Sequence, residues 1–344
     1  MDARVERKLR VLAPIVVAGF IAGIAFNVAQ GRTAPIALAV GAAYGVAISG
    51  VLGAIELFVM EGWLRIWLGG LSFPARLMFR STVYVGIIAL IQLLHLGEYI
   101  IGVPPDMSSR TFWLSIVYSS VLSVVMNLIL GITNIIGPRA FLNFFIGRYH
   151  APVEENRFVL FVDIAGSTGL AERLGGIGIH RFLDHTFRVL TAAVVDYRGE
   201  VLNYVGDEVI VTWPERGGAV DCRPLRCFMA MRDELASASG QMMQDFGASP
   251  RIRGSLHYGP VIVGEIGDVK RAIVFNGDVM NTAARLEELS REVDGGFLAS
   301  RAAMQRFDST PPFAVRDLGR LPIRGRVDGI DVVGIDPPLE PVLN

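Results

Sequence analysis

The sequence FVLFVDIAGSTGLAERLG, residues 158–175, decides the fold of the second half of the chain. Its first part, residues 158–164, is apolar except for one carboxylate, Asp163, and predicts a buried strand. Small residues at 166–168 then end the strand, and an amphipathic helix follows. A carboxylate just before the free N–H groups of a helix suits a site for a metal ion and phosphate groups. Taken alone, it equally suits an N-cap or a turn residue.

The composition divides the chain into an apolar half and an ordinary globular half. Of its 344 residues, 52% are hydrophobic, and the mean hydropathy of +0.46 is too high for one soluble domain. We expect a membrane domain over 1–137, a juxtamembrane linker over 138–156 and a catalytic domain over 157–337. Four runs in the first part are long enough to cross a bilayer: Val11–Ala29, Pro35–Met60, Thr82–Val103 and Phe112–Ile136.

Basic residues indicate the orientation of these spans. Arginines and lysines precede the first span, lie between the second and third, and follow the fourth, whereas the two other loops carry only Arg32 and Arg110. The positive-inside rule therefore predicts a multi-pass protein of the inner (plasma) membrane, with its N-terminus and catalytic domain in the cytoplasm. Segment 61–81 mixes tryptophan with arginine and is expected to lie at the interface, in contact with membrane lipid. The first run is too long for a cleavable signal, and the net charge of −1 gives no support for a nucleic-acid partner.

Polar residues at membrane depth suggest further sites. His95 and Glu98 would share a helix face at i, i+3, which fits a haem, quinone or ion site but fits hydrogen bonding between helices better. An unknown ligand of the membrane domain is thus left open. A four-residue spacing of small residues predicts close helix packing: Gly41, Gly45, Ser49 and Gly53.

The second half alternates strands and helices, which predicts an α+β sheet covered by helices on one face. After the first strand we expect a helix over 168–197 that breaks at Gly175-Gly176, then two strands within 199–213. The remaining expected elements are a helix over 221–246, a hairpin over 251–267 that turns at Tyr258–Pro260, a strand and helix from 271 to 290, and strands near 296–300 and 330–335.

Two carboxylates and a helix pair are the candidate chemical groups. Asp207 lies at a hairpin tip, beside Gly206, and with Asp163 and a backbone carbonyl it would form a hard-oxygen site for Mg²⁺ or Mn²⁺. Asn281 and Arg285, at i, i+4, could steady a ribose and phosphate charge, or Arg285 could simply pair with a glutamate at 287 or 288. Five residues after the strand would cradle the phosphates: Ala165, Gly166, Ser167, Thr168 and Gly169.

Four stretches together resemble the catalytic domain of the class III adenylate/guanylate cyclases over about residues 155–335. They occur in the order FVDIAGST, VGDEV, GSLHYGPVIVGEIG and NGDVMNTAAR. Each is short, but the set is specific. The apolar half resembles the multi-span anchors of bacterial cyclases more loosely. The resemblance implies a ferredoxin-like sheet with helices and a homodimer with active sites at the subunit interface.

The resemblance also implies a role for each matching residue. Asp163 and Asp207 match two metal-binding aspartates, with the Ile164 carbonyl as a further ligand of two Mg²⁺ or Mn²⁺ ions. Asn281 and Arg285, from the partner subunit, match the pair that stabilises the transition state. The implied reaction is in-line attack of the ribose 3′-hydroxyl of ATP on its α-phosphorus, giving cyclic AMP and pyrophosphate.

Two positions depart from the family pattern for reading the base. Adenylate-specific members usually carry Lys four residues before the second aspartate, where this chain has Asn203. They carry Asp or Thr seven residues before the transition-state Asn, where this chain has Val274. Guanylate-specific members have Glu and a small polar residue there, so neither set is present. Because an amide both donates and accepts, we favour ATP and keep GTP or relaxed base selectivity as alternatives.

Three other functions fit less well. VGDEV resembles the GGDEF signature of diguanylate cyclases, but Val205 and Val209 replace its Gly and Phe, and that family does not explain the Asn/Arg pair. A membrane receptor with an inactive cyclase-like domain would lack a metal aspartate or the Asn/Arg pair, and all four are present. Four spans with few buried charges do not favour a transporter or channel.

Overall fold

A computed structural model describes most of the chain, which forms two compact units, residues 1–138 and 139–344. The residues described are 3–64, 68, 70–102, 110–137, 142–143, 146–269, 271–293, 295–323 and 329–336.

The first unit is helical. Four of its helical segments are long and apolar enough to cross a membrane, as the sequence predicts. A π-helical segment, Ile55–Trp63, continues the second helix. The helices are α1 (Ala3–Ala29), α2 (Pro35–Ala54), α3 (Phe73–Leu93), α4 (Leu96–Ile101) and α5 (Arg110–Ile136).

The third span begins earlier than predicted, at Phe73 instead of Thr82, so the end of the expected interfacial segment belongs to α3. Pro74 is compatible with this helix because it lies in the first turn, where its missing N–H is not needed. Arg80 is neutralised within the unit by Glu56, with 2.5 Å between Nη1 and Oε1. Residues 65–67 and 69 of that segment, and Val103 at the predicted end of the span, lie outside the described residues.

His95 and Glu98 do not share one continuous helix, contrary to the prediction. His95 has a φ of 51° and separates α3 from α4. Its Nδ1 nevertheless lies 3.8 Å from Oε2 of Glu98, and its ring stacks on Phe112 with 5.5 Å between centroids.

The small-residue stripe of α2 packs against α1 within one chain. A Cβ atom on Gly45 would collide with the Gly19 carbonyl oxygen, and one on Gly41 would lie 2.5 Å from the Gly23 carbonyl oxygen. The two backbones therefore approach as closely as glycine allows, which is the packing that the four-residue spacing predicts.

The second unit is an α+β domain, as predicted. Its eight described strands form one sheet in the order β2-β3-β1-β4-β6-β8-β7, with β5 paired to β4. The strands are β1 (Val153–Ala165), β2 (Glu200–Val205), β3 (Glu208–Pro214), β4 (Arg251–Ile266), β5 (Ala272–Asn276), β6 (Phe297–Ser300), β7 (Ala314–Leu321) and β8 (Ile330–Asp336). The helices are α6 (Ser167–Asp196), α7 (Glu215–Ala219), α8 (Arg223–Phe246), α9 (Asp278–Ser290) and α10 (Arg301–Met304).

Helices cover both faces of this sheet, not one as expected. Alternate residues of β1 divide the core: Phe158 and Leu160 pack with α6 and α8, whereas Val159 and Phe161 pack with α9. The Ser255 hydroxyl of β4 donates to the Ala283 carbonyl of α9 at 2.6 Å, which fixes this helix on the sheet. The face that carries α9 also carries Asp163, two residues beyond Phe161.

The predicted hairpin at 251–267 is wrong, because this stretch is one continuous strand, β4. Gly259 and Pro260 indicated a turn, but the structure explains their presence in a strand in other ways. A Cβ on Gly259 would lie 2.6 Å from Val279 of α9, so glycine permits the close approach of that helix. Pro260 lies between the part of β4 that pairs with β6 and the part that pairs with β5, where β4 pairs with β1 alone. The missing N–H of Pro260 therefore costs no hydrogen bond to a second neighbouring strand.

Two further strand features were not predicted. β1 begins at Val153, inside the segment assigned to the juxtamembrane linker, because residues 153–165 pair along their whole length with β4. β7 was missed, and it pairs with β8 at the sheet edge. Mixed polar side chains on an edge strand weaken the apolar alternation by which strands are recognised.

We predict that Gly45→Ala lowers the thermal stability of the full-length protein in detergent, by about 1–3 kcal/mol of unfolding free energy, because its methyl group overpacks the α1–α2 contact. Gly86→Ala is the matched control, since a Cβ at Gly86 meets nothing within 4 Å. Unfolding is followed by circular dichroism, and equal stability of the two variants would contradict the assigned packing.

Candidate functional site

The two predicted aspartates come together at one end of the sheet. Asp163 lies near the end of β1, opposite Glu208 of β3 and Arg253 of β4. Asp207 lies in the turn that joins β2 to β3, after Gly206, whose φ of 62° is left-handed and favours glycine. The Ile164 N–H donates to the Asp207 carbonyl at 3.2 Å, so the hairpin tip is fixed to β1 beside Asp163.

The turn after β1 has the predicted strand–turn–helix form. Ala165 ends β1, Gly166 has a φ of 79°, and α6 begins at Ser167. The Ser167 hydroxyl donates to the Asp207 carboxylate and links the helix start to the hairpin. Thr168 and Gly169 are exposed, and the first N–H groups of a helix have no intrahelical acceptor. The five predicted cradle residues therefore lie beside both aspartates and offer donors to an anion.

Two arginines neutralise Asp163. The Arg253 Nη2 lies 3.0 Å from Oδ2 of Asp163, and the Arg291 Nη2 lies 3.8 Å from the same oxygen. Arg291 also pairs with Glu287 of α9 at 3.2 Å. Glu287 is buried, with 2% of its surface exposed. In the described residues Glu287 pairs with Arg291, and no contact joins Arg285 to Glu287 or Glu288, so the alternative pairing of Arg285 with a glutamate is not observed.

Burial, and after it the neighbouring negative charge, raises the pKa values of this cluster. Burial raises the pKa of Asp163, and the neighbouring Asp207 raises it further. Burial, followed by the charges of Glu287 and Asp163, raises the pKa of Glu208 to about 7. The pKa of Glu287 is also raised, chiefly by burial. The carboxylates thus hold more negative charge than their surroundings stabilise, which favours a cation.

The donor set suits a hard divalent cation. Asp163 and Asp207 supply carboxylate oxygens, and the Arg253 guanidinium already provides positive charge to Asp163. In the described part of the chain, no three histidine, cysteine or acidic side chains form a metal-holding group. A metal ion here would therefore take the two aspartates and complete its shell with a backbone carbonyl, water or phosphate, as Mg²⁺ commonly does.

Asn281 and Arg285 lie on α9 but are turned away from the carboxylates. Ala283 and Glu287 of the same helix are buried against the sheet, whereas Asn281 is exposed. At 100° per residue, Asn281 projects about 160° away from Ala283. Among the described residues, neither Asn281 nor Arg285 has a hydrogen-bond or ion-pair partner. One copy of the chain therefore does not bring this pair to its own aspartates.

The two base-reading positions are also far apart in one chain. Asn203 is exposed on β2, next to a bulge, and its Oδ1 accepts from the Tyr204 N–H at 3.0 Å. Val274 lies on β5 opposite Gly264. Three strands separate β2 from β5, so the two positions lie at least about 19 Å apart across the sheet at the usual strand spacing, and they are also displaced from each other along the strands. A single base cannot contact both within one chain.

Sequence reasoning missed Glu208, Glu287, Arg253 and Arg291. Glu208 follows Asp207 directly, and its position opposite Asp163 depends on strand register. Glu287 and Arg291 show an i, i+4 spacing, but their proximity to Asp163 depends on how α9 crosses the sheet. His257 of β4 is buried, with its Nδ1 2.7 Å from the Ser300 hydroxyl.

Comparison with known proteins identifies the family. The sequence profile of the adenylate and guanylate cyclase catalytic domain matches residues 150–333. "Adenylate cyclase 2" of Rhizobium meliloti is 32% identical over 306 residues, covering 86% of this chain and 83% of that protein. An adenylate cyclase of Anabaena cylindrica is 24% identical over 205 residues, covering 58% of this chain and 40% of that protein.

A solved structure shows the same fold. It is that of a bacterial light-regulated adenylyl cyclase, with a TM-score of 0.54 and 20% identity, covering 67% of this chain and 66% of that one. With the profile match over more than half of the sequence, these findings show that the chain belongs to the adenylate and guanylate cyclase family. The expected family and fold class are confirmed.

We predict that Glu208→Gln stabilises the metal-free protein in a pH-dependent way. The folded-state pKa of about 7 exceeds the ordinary value of 4.5, so the folded state binds more protons between these values. Glu208 therefore lowers the stability of the folded state progressively as the pH rises from 4.5 to about 7, and this destabilisation reaches its full size above about pH 7.

The test is the melting temperature with EDTA across this pH range. The difference between the variant and the unaltered protein should grow from about pH 5 to about pH 7 and then level off. A difference independent of pH would contradict the assigned cause.

Proposed function

We propose that this protein is a membrane-bound adenylate cyclase that converts ATP to 3′,5′-cyclic AMP and pyrophosphate at the interface of a homodimer. The observation that carries the proposal is the division of the site. The aspartates and the phosphate cradle lie together at one end of the sheet, whereas Asn281, which is exposed, and Arg285, which is half-buried, lie on the side of α9 opposite Ala283. Two copies related by a twofold axis would join these halves into two equivalent sites.

The aspartate half would bind the triphosphate. Main-chain N–H groups at Gly166–Gly169 would donate to phosphate oxygens, and Ser167 keeps the Asp207 carboxylate in place. Asp163, Asp207 and the Ile164 carbonyl would hold two Mg²⁺ or Mn²⁺ ions. Such ions would acidify the ribose 3′-hydroxyl and neutralise charge on the departing pyrophosphate.

The helix half would act on the transition state. Asn281 of the second copy would orient the ribose by hydrogen bonding, which aligns the 3′-hydroxyl with the α-phosphorus. Arg285 would stabilise the charge that develops on the phosphoryl oxygens, because a guanidinium presents several donors in a fixed plane. No covalent intermediate is needed, since the hydroxyl displaces pyrophosphate directly.

ATP is the proposed substrate because the relative that matches most of the chain is an adenylate cyclase. Asn203 could donate to adenine and Val274 could offer only its backbone. GTP remains the second candidate, because neither side chain is the one expected for adenine. The four apolar helices would anchor the protein in the inner membrane, with the N-terminus and the catalytic domain in the cytoplasm and lipid around the helices.

The direct test uses purified full-length protein incubated with ATP or GTP and Mn²⁺, with the product identified by mass. We expect cyclic AMP, and a loss of at least 100-fold in rate for Asp207→Ala, which removes one carboxylate ligand. Cyclic GMP alone would show that the site reads guanine. No cyclic product from a folded dimer would favour the inactive receptor.

Base selectivity gives a second prediction. Asn203→Lys combined with Val274→Asp should raise the ratio of kcat/KM for ATP to that for GTP by roughly 5- to 150-fold, since each change adds a polar contact to adenine worth about 0.5–1.5 kcal/mol. Steady-state kinetics with both nucleotides measures this ratio. Asn203→Ala is the control, and an unchanged ratio in the double variant would show that these positions do not contact the base.

A further inference from the structure

The membrane unit contains a large elongated cavity. It has a volume of about 650 Å³ and is lined by residues of α1, α2, α3, α4 and α5. On α5 the lining runs from Phe112 to Leu130, which is about 27 Å at the helical rise per residue. This volume lies within the range of small-molecule sites, which are mostly apolar with a few placed polar groups.

One of the two carboxylates in this cavity is fully compensated. Glu56 receives the Arg80 guanidinium at 2.5 Å and the Tyr84 hydroxyl. The charge of Glu56 is therefore neutralised by the protein itself, and this end of the cavity has no need of a ligand cation.

The other carboxylate, Glu98, has no permanently charged partner. It accepts a hydrogen bond from the Tyr44 hydroxyl, and it pairs with His95, whose Nδ1 lies 3.8 Å from Oε2 and carries charge only when the imidazole is protonated. Within the described residues, no arginine or lysine lies within 4 Å of it. Arg32 also lines the cavity, but it precedes α2, and Tyr44 lies about 13 Å along that helix from its first residue.

A second polar group at this end has no protein partner. Gln92 lines the cavity, has only 2% of its surface exposed, and makes no hydrogen bond in the described part of the chain. The polar atoms of this amide are not fully enclosed by protein, so a ligand group in the cavity can hydrogen-bond to them. Aromatic rings complete this end: Phe112 lines it, and Phe26 and Tyr118 form a pair with 5.0 Å between centroids.

This combination of groups selects the chemistry of the ligand. A carboxylate, an amide oxygen and aromatic faces recognise a protonated amine, and the long apolar walls accept a hydrocarbon body. An anionic amphiphile would place a second negative charge beside Glu98. We propose that the cavity binds a hydrophobic primary ammonium ion, with its ammonium group at Glu98 and Gln92 and its apolar part along α1, α2 and α5.

The probe is radiolabelled 4-phenylbutylamine, and the protein is the full-length chain in nanodiscs of zwitterionic lipid. Equilibrium dialysis should show saturable binding, with one site per chain, above the partition into empty nanodiscs. Excess 4-phenylbutanol and 4-phenylbutyrate, which share the body but lack the cation, should not displace it.

Three variants tie the binding to the assigned residues. Glu98→Gln and Gln92→Leu should each weaken binding at least tenfold. Gln92→Leu leaves the charge of Glu98 in place, so it still tests the site if Glu98→Gln fails to fold. Tyr99→Phe is the control, because Tyr99 lies next to Glu98 but is 83% exposed and outside the cavity. Folding is checked by circular dichroism.

The proposal is overturned if binding is not saturable, if both Glu98→Gln and Gln92→Leu bind like the unaltered protein, or if 4-phenylbutyrate competes as well as the amine. None of these readouts depends on nucleotide chemistry.

Discussion

The pairing of β1 with both β3 and β4 is the constraint on which the catalytic unit depends. This double register places Asp163 beside Glu208 on one side and Arg253 on the other. It also brings the β2–β3 turn, with Asp207, to the end of the same strand. The result is a group of carboxylates at the edge of a packed core, where burial first and the neighbouring carboxylates second raise their pKa values. A site built in this way costs stability unless positive charge is supplied, so the binding of a cation would be coupled to folding.

The same sheet keeps the helix pair away from that site. α9 packs through Ala283 and Glu287, so the face that carries Asn281 is directed outward. Asn203 on β2 and Val274 on β5 are likewise kept apart within one chain, because three strands lie between them. Neither half of the proposed site is complete within one chain. A symmetric pair of chains would complete both halves at once.

Local patterns predicted the parts of the site that depend on short stretches. Asp163 at a strand end, Asp207 at a hairpin tip and a helix start at Thr168, one residue after the observed Ser167, all follow from alternation and turn residues within a few positions. Long-range register was not accessible in this way. The approach of Glu287 and Arg291 to Asp163 depends on the crossing of α9. Gly259 and Pro260 indicated a turn because the sequence does not show which strands flank β4 at that point.

The central claim, that the active site is shared between two copies, is tested most directly by mixing two inactive variants. Asp207→Asn and Asn281→Ala should each lose activity, and their coexpression should restore roughly a quarter of it, since half of the dimers are mixed and each carries one intact site. Coexpression of Asp163→Asn with Asp207→Asn is the control and should restore nothing, because both changes lie in the same half. If the first mixture stayed inactive although mixed dimers were isolated, the site would not be shared between two copies, and the central claim would be contradicted.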